Sequence, residues 1–257
     1  MPPRPPSLLA RALEPVMACL WVLFVLWTLI VAGIWLSGFG EAELRENVAN
    51  QGLRNALALC LEVLDVTWLA LAAANCHIAL AAVEGLATAR RWALMIIASA
   101  VVIAASSAAF GLPLGPIAYT AGLGPRIGLI SLGQPLCWFV FVVGARALVL
   151  HVFPRASHML AAVGAGVLTA LADAVFEPLA WHVRAFWIWY PGIAAAPHRP
   201  PIQNYVTWFI GGTALAFAMR ESRVAVITPR PFPRPATAFL IFIAVFLATH
   251  AVRLFRS

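Results

Sequence analysis

Two pairs of carboxylic acids are the residues of this sequence best suited to chemistry, because each pair lies inside an apolar stretch. The only two aspartates, Asp65 and Asp173, each have a glutamate one helical turn away, Glu62 at i,i+3 and Glu177 at i,i+4. These spacings place each pair on one helix face. Two neighbouring carboxylates in a low-dielectric medium cannot both ionise easily, so one keeps its proton at neutral pH. Such a protonated group is what a general acid needs.

The same carboxylates also have a purely structural interpretation. They could cap helix ends or pair with an arginine such as Arg184. This alternative is strongest for Glu62, which lies near the end of its apolar segment, and weakest for Asp173, which lies deeper and is followed by aromatic residues. An ionisable group inside a membrane span costs roughly 2.5–3.5 kcal/mol, so a functional role is the default hypothesis for the deeper acids.

Aromatic side chains are concentrated after the second acid pair. The cluster contains Trp181, Phe186, Trp187, Trp189, Tyr190, Tyr205 and Trp208. Aromatic residues often form a belt at the membrane interface, and that is the simpler interpretation for any single tryptophan. Taken together, the rings could also line a pocket that stabilises a cation.

Composition excludes most other kinds of protein. Of 257 residues, 63% are hydrophobic and only 11% are charged, which predicts a polytopic membrane protein surrounded by the lipid bilayer. All 17 basic residues are arginine, so chemistry that needs a lysine imine is excluded. Histidine boxes, flavin or nicotinamide motifs and basic nucleic-acid-binding motifs are missing. We therefore predict no cofactor, no metal and no nucleic acid as a partner.

The elements that must position these residues are seven apolar segments, which predict an all-α, polytopic transmembrane helical bundle of about seven helices. The segments are 16–36, 57–83, 92–110, 132–150, 159–181, 203–219 and 236–252. We expect a single integral membrane domain over 1–257, with a Pro-rich tail at 1–15, helices over 16–252 and a short tail at 253–257. The Gly/Pro-dense stretch from Gly111 to Ser131 cannot be regular helix.

Chain direction brings the candidate residues together. The acids are early in the second segment and late in the fifth, so all four should lie near the same membrane face. The 111–131 loop and the beginning of the sixth segment, with Asn204 and Trp208, open on that side too. Ten arginines fall on the side of the N-terminus and seven on the other, which weakly favours a cytoplasmic N-terminus.

Two blocks of sequence resemble the CruF-type carotenoid biosynthesis proteins, a family of membrane hydratases. The first is GLPLGPIAYT at 111–120, followed by LGP at 123–125 and PLCW at 135–138. The second is DAVFEP at 173–178, WIW at 187–189 and PIQNYVTWF at 201–209. The family usually has aspartate where this chain has Glu177.

The resemblance implies an enzyme in the bacterial cytoplasmic (inner) membrane that adds water to the terminal double bond of an acyclic carotenoid. Asp173 or Glu177 would donate the proton, and the other carboxylate would raise the pKa of the donor or orient water. Asp65 and Glu62 are further candidate acids. The substrate-binding candidates are Tyr119, Trp187, Trp189, Asn204, Tyr205 and Trp208.

Two alternatives stay open. A small membrane-type carotenoid cyclase shares the protonation step but ends in ring closure. Such cyclases typically carry an acid where this chain has Asn204, so the asparagine favours hydration or an uncharacterised step. A non-enzymatic carrier or assembly protein is the second alternative, because buried acid pairs also serve proton-coupled transport. The sequence has no inverted repeat of the kind found in many transporters.

Overall fold

Seven long helices dominate the computed structural model, which describes residues 8–40, 46–191, 199–220 and 233–256. In chain order the helices are α1 Leu8–Ser37, α2 Gln51–Glu84, α3 Leu86–Phe110, α4 Gly133–Val152, α5 His158–Pro178, α6 Ile202–Ala218 and α7 Arg234–Arg256. Each occupies one of the seven predicted segments. All but α6, which has 17 residues, are long and apolar enough to cross a membrane, so the chain is an integral membrane protein.

Four helices extend by four residues or more beyond a predicted boundary, and among them α2 and α3 each begin six residues early, at Gln51 and Leu86. The helix α1 begins at Leu8, so the predicted tail of residues 1–15 is too long; residues 1–7 lie outside the described part. Pro15 lies inside this helix. An interior proline removes one backbone hydrogen bond but does not have to end a helix. At the other end, α7 continues to Arg256, beyond the predicted boundary at residue 252.

Local signals explain where the helices begin and end. The Asn50 side chain accepts a hydrogen bond from the amide of Leu53 and caps α2, and Ser157 caps α5 in the same way through the amide of Leu160. Gly85, with φ 86°, separates α2 from α3, and Gly111, with φ 72°, ends α3 in the left-handed region. These breaks turn the apolar runs into an antiparallel bundle.

The helix α4 lies at the centre of the bundle. Most of its residues are buried, and it packs against α2, α3, α5, α6 and α7. The two helices that carry the predicted acids, α2 and α5, therefore pack against the same central helix.

The 111–131 loop is not regular helix, as predicted. It forms strand β1 (Ile117–Tyr119), a 3₁₀ turn (Ala121–Leu123) and a hairpin of β2 (Arg126–Ile127) with β3 (Ile130–Ser131). After α5 the chain makes a π-helical turn at Leu179–Val183 and forms β4 (Trp187–Trp189). The antiparallel β1–β4 pair aligns Ile117 with Trp189 and Tyr119 with Trp187. This two-stranded ribbon covers the end of α5.

Candidate active site

Asp173 and Glu177 face the same buried space and are joined by one amide. Both carboxylates are 1% exposed. The side-chain amide of Asn204, in the first turn of α6, donates to Asp173 Oδ2 at 2.6 Å and to Glu177 Oε2 at 3.5 Å. The predicted i,i+4 pair and the predicted asparagine therefore meet in one polar cluster.

A close approach of α5 and α6 makes this contact possible. The space where a Cβ atom would extend from Gly212 is occupied by the Thr169 side chain and by the Cα of Gly166, at 3.3 Å. The Thr169 hydroxyl donates across the interface to the carbonyl of Trp208 at 3.2 Å. Small residues of this kind let two helix backbones pack tightly. Asn204, two turns from Gly212, is thereby held against Asp173.

The ribbon of β1 and β4 supplies the remaining hydrogen-bond donors to Glu177. Trp187 and Trp189 are buried on the inner face of β4, and both donate an indole N–H to Glu177 Oε1, at 2.8 and 2.5 Å. Alternation along the strand turns Ile188, which lies between them, outward. Three N–H donors thus converge on the Glu177 carboxyl group.

Two polar atoms of the cluster have no hydrogen-bond partner among the described residues: Asp173 Oδ1 and the Tyr119 hydroxyl. Tyr119 is buried opposite Trp187, with its ring edge-on to that indole at 6.2 Å. Burial, and then the nearby Glu177 and Asp173, raise the pKa of Tyr119 above its ordinary value, so the phenol keeps its proton. An acid oxygen and a phenol O–H are therefore available to a bound molecule.

The other substrate-binding candidates lie beside the cluster. Tyr205 is half-buried next to Asn204 and interacts electrostatically with both carboxylates. Trp208 is one turn further along α6, where its ring stacks face to face on Trp138 at 3.9 Å. One face of the Trp208 indole is therefore already covered.

The acids on α2 do not form the expected pair. Asp65 is buried, but Glu62 is exposed, because burial along α2 begins only at Leu64 and no residue from 51 to 63 is buried. Asp65 Oδ2 accepts from Arg184 Nε at 3.0 Å and Nη2 at 2.5 Å, and its Oδ1 accepts from the Trp35 indole at 2.9 Å. This is the arginine pairing that the structural interpretation anticipated.

The Asp65 ion pair still lies close to the acids of α5. Arg184 follows Glu177 by seven residues and directly precedes the turn into β4. Its guanidinium also lies 5.9 Å from the ring centroids of Trp35 and Phe186. Asp65 and the acids of α5 are thus at the same end of the bundle, in agreement with the predicted chain directions.

A small cavity that the sequence did not reveal lies beside Asp65. Its volume is about 10 Å³, room for about one water molecule, and part of it is open to the outside. Its walls are mainly aromatic and include Trp35, Trp68, Phe141, Phe176, Phe186 and Phe246. We call this space the aromatic cavity. Its aromatic residues other than Phe186 lie in apolar helical runs, where nothing in the sequence separates a cavity wall from ordinary packing.

Comparison with known proteins assigns the family. A family model described as "carotenoid biosynthesis protein" matches residues 63–256, about three quarters of the chain. The matched region includes Asp65, Tyr119, the α5 acids, β4 and α6. No curated protein and no solved structure matches the chain. The resemblance seen in the sequence is confirmed at the level of this family: the chain belongs to the carotenoid biosynthesis proteins.

Proposed function

We propose that this protein is a hydratase that adds water across the terminal C=C bond of an acyclic carotenoid. The observation that carries the proposal is the buried Oδ1 of Asp173, which has no hydrogen-bond partner in the described part of the chain and lies beside a second carboxyl group whose oxygens are already engaged. Alkene hydration begins with protonation, which needs a neutral carboxylic acid in an apolar setting. Membership of the carotenoid biosynthesis family supplies the class of substrate.

The hydrogen bonds favour Asp173 as the proton donor. Glu177 accepts two indole N–H bonds and a longer amide N–H bond, and donors of this kind stabilise a carboxylate. Asp173 accepts the Asn204 amide through Oδ2, which leaves Oδ1 to carry a proton. Two adjacent buried carboxyl groups favour a state with one proton between them. In the proposed ground state, Glu177 is ionised and Asp173 is protonated.

The proposed reaction balances without an added reagent. Asp173 Oδ1–H gives its proton to the less substituted carbon of the terminal trisubstituted alkene, and a tertiary carbocation forms at the other carbon. A water oxygen then forms a bond to that carbon. The water loses a proton to Asp173, which restores the starting acid, and the product is a tertiary alcohol. In the proposed reaction, the Tyr119 hydroxyl, which has no partner among the described residues, orients the water, and the negative charge of Glu177 stabilises the cation.

Ring closure is the competing outcome of the same protonation. In a cyclase, a neighbouring double bond of the substrate would attack the cation in place of water. Asn204 favours hydration here, because this chain has an amide at the position where the cyclases that it resembles carry an acid. The two reactions differ in product mass, since hydration adds one water and cyclisation adds nothing.

The test is expression in a lycopene-producing host, followed by mass analysis of the pigments. We expect a product heavier than the substrate by one water. Asp173→Asn should lower its yield about 10²–10⁴-fold, the usual contribution of a general acid. Glu14→Gln, which changes an exposed carboxylate, is the control and should keep the wild-type yield. An isomeric product of unchanged mass would refute hydration, and an undiminished yield from Asp173→Asn would refute the acid assignment.

A further inference from the structure

We propose that the side-chain amide of Gln134, in the first turn of α4, positions the water molecule that adds to the carbocation. This inference rests on the proposed function and adds a positioning residue to the proposed reaction. The ligand is a single water molecule, held between Gln134, Tyr119 and Asp173.

Gln134 is a polar residue whose buried oxygen lacks a protein partner. The residue is 3% exposed, and its Oε1 accepts no hydrogen bond from the part of the chain that the structure describes. Native structures pair nearly all such atoms, either with protein groups or with ordered water. Asp173 Oδ1 and the Tyr119 hydroxyl are in the same state at the same end of the bundle. One water molecule between them would satisfy all three atoms, and buried waters typically make about three hydrogen bonds.

Two stacked tryptophans set the level of Gln134 in the bundle. The helices α4 and α6 pack against each other and both begin at the end of the bundle that contains the acids, so they run in the same direction. Trp138 of α4 and Trp208 of α6 stack at 3.9 Å and therefore lie at the same level. One turn earlier, the two helices carry Gln134 and Asn204. Gln134 is thus level with Asn204, whose amide bonds both acids of α5.

Neighbouring contacts place Gln134 beside the acids and the loop that carries Tyr119. Cys137 lies close enough to both acids of α5 and to Tyr119 to interact with them electrostatically. A three-residue spacing puts Gln134 and Cys137 on one face of α4. On the other side, a Cβ atom on Gly133 would lie 2.6 Å from the carbonyl oxygen of Leu123, four residues after Tyr119. The first turn of α4 is therefore held tightly against the loop.

The three groups would orient the water for attack. One O–H points at Asp173, whose carboxylate takes this proton after the alkene has been protonated. The second O–H stays in the product alcohol and needs an acceptor, which the Gln134 oxygen supplies without taking a proton. The Tyr119 phenol donates to one lone pair of the water, and the other lone pair forms the bond to the cationic carbon. The Trp138 indole is a donor only and cannot replace Gln134 in this role.

The test uses the purified full-length protein in detergent micelles, with lycopene added in D₂O buffer. The acid exchanges its proton for deuterium, so that protonation marks the end of the chain. If water captures the cation, a hydrated product forms. If the cation loses a proton instead, it returns an alkene that carries deuterium but no added water. Mass analysis therefore measures protonation and water capture separately.

Two variants of Gln134 and one control provide the comparison. Gln134→Met keeps the length of the side chain and removes the oxygen acceptor. We expect it to lower the hydrated product about tenfold, the upper value for one neutral hydrogen bond, while deuterium still enters the unhydrated pigment. Gln134→Asn, which withdraws the amide by one methylene group, should shift the products in the same direction and decides if the methionine variant does not fold. Gln51→Met makes the same replacement at an exposed position of α2 and should behave as wild type.

The outcomes separate this inference from the proposed function. A wild-type yield of hydrated product from the Gln134 variants would overturn the inference. An equal loss of hydrated product and of deuterium would also overturn it, because a role in folding or protonation lowers both. Each of these results leaves hydration by the wild-type chain intact. If the wild-type product carries no added water, hydration itself is refuted, and the water position with it.

Discussion

Replacing Asp65 by asparagine tests whether the buried contact with Arg184 is an ion pair that stabilises the bundle. The asparagine oxygen can still accept from the Trp35 indole. Its amide group, however, replaces Oδ2 and points N–H donors at the two guanidinium donors of Arg184, which now contact that oxygen at 3.0 and 2.5 Å. The substitution therefore leaves a cation facing donors in a largely buried position.

The expected loss of unfolding free energy follows from the burial of the Asp65 and Arg184 side chains. Removing one partner of a buried ion pair costs about 3–5 kcal/mol. Asp65 is 2% exposed but Arg184 is 18% exposed, so solvent or headgroups reach part of the cation and the lower end of the range applies. A loss of about 3 kcal/mol in a chain of this size lowers Tm by about 6–12 °C.

The assay is thermal unfolding in detergent for wild type, Asp65→Asn, Arg184→Gln and the double variant. Each single variant leaves one member of the pair without its partner, whereas the double variant removes both charges. We expect the double variant to be less destabilised than the sum of the singles, with a coupling free energy of about 1–3 kcal/mol. Additive losses, or an unchanged Tm for Asp65→Asn, would refute the ion-pair argument.

Two further substitutions test the contacts around the acids. Trp189→Phe removes one N–H donor from Glu177 and should lower the product yield per folded molecule about 10- to 150-fold, since a hydrogen bond to a charged group contributes about 1.5–3 kcal/mol. Trp138→Phe is the control, because its indole N–H has no partner among the described residues, and it should lower the yield less; equal losses would contradict the role of the Trp189 N–H. Gly166→Ala would place a methyl group against the Thr213 hydroxyl and 2.6 Å from the carbonyl oxygen of Phe209, so unfolding assays should show a loss of about 1–3 kcal/mol. Gly33→Ala adds a methyl group that meets no described atom within 4 Å beyond its own helix backbone, so it should be neutral or stabilising, and a comparable loss there would contradict the close packing of α5 and α6.

The helices and the central acid pair could be predicted because they depend on local periodicity. Seven apolar runs specify seven helices, and the four-residue spacing places Asp173 and Glu177 on one face without any knowledge of the fold. Antiparallel chain direction then brings the beginning of α6, with Asn204, to the end of α5. These inferences need only helix geometry and a count of the segments.

The remaining parts of the site depend on long-range pairing. Arg184 could be named from the sequence as a possible partner of the carboxylates, but Asp65 lies 119 residues away, and one sequence does not reveal which acid the arginine meets. The strands β1 and β4 have three residues each and show no useful alternation, so the ribbon that carries Trp187 and Trp189 could not be read from a pattern. Trp35 and Phe246 lie in apolar runs, where a cavity wall and a lipid-facing surface have the same composition.

Burial of the acid pair under β1 and β4 has a consequence for the energetics of the proposed reaction. The proton given to the alkene is replaced by one from the attacking water. Each catalytic cycle therefore takes up and releases no net proton, and the site needs no path for protons to the surrounding water. Only uncharged molecules, the polyene and water, have to reach the site. The catalyst would consequently work at the same rate in an energised or a de-energised membrane, whichever face of the bundle points toward the cytoplasm.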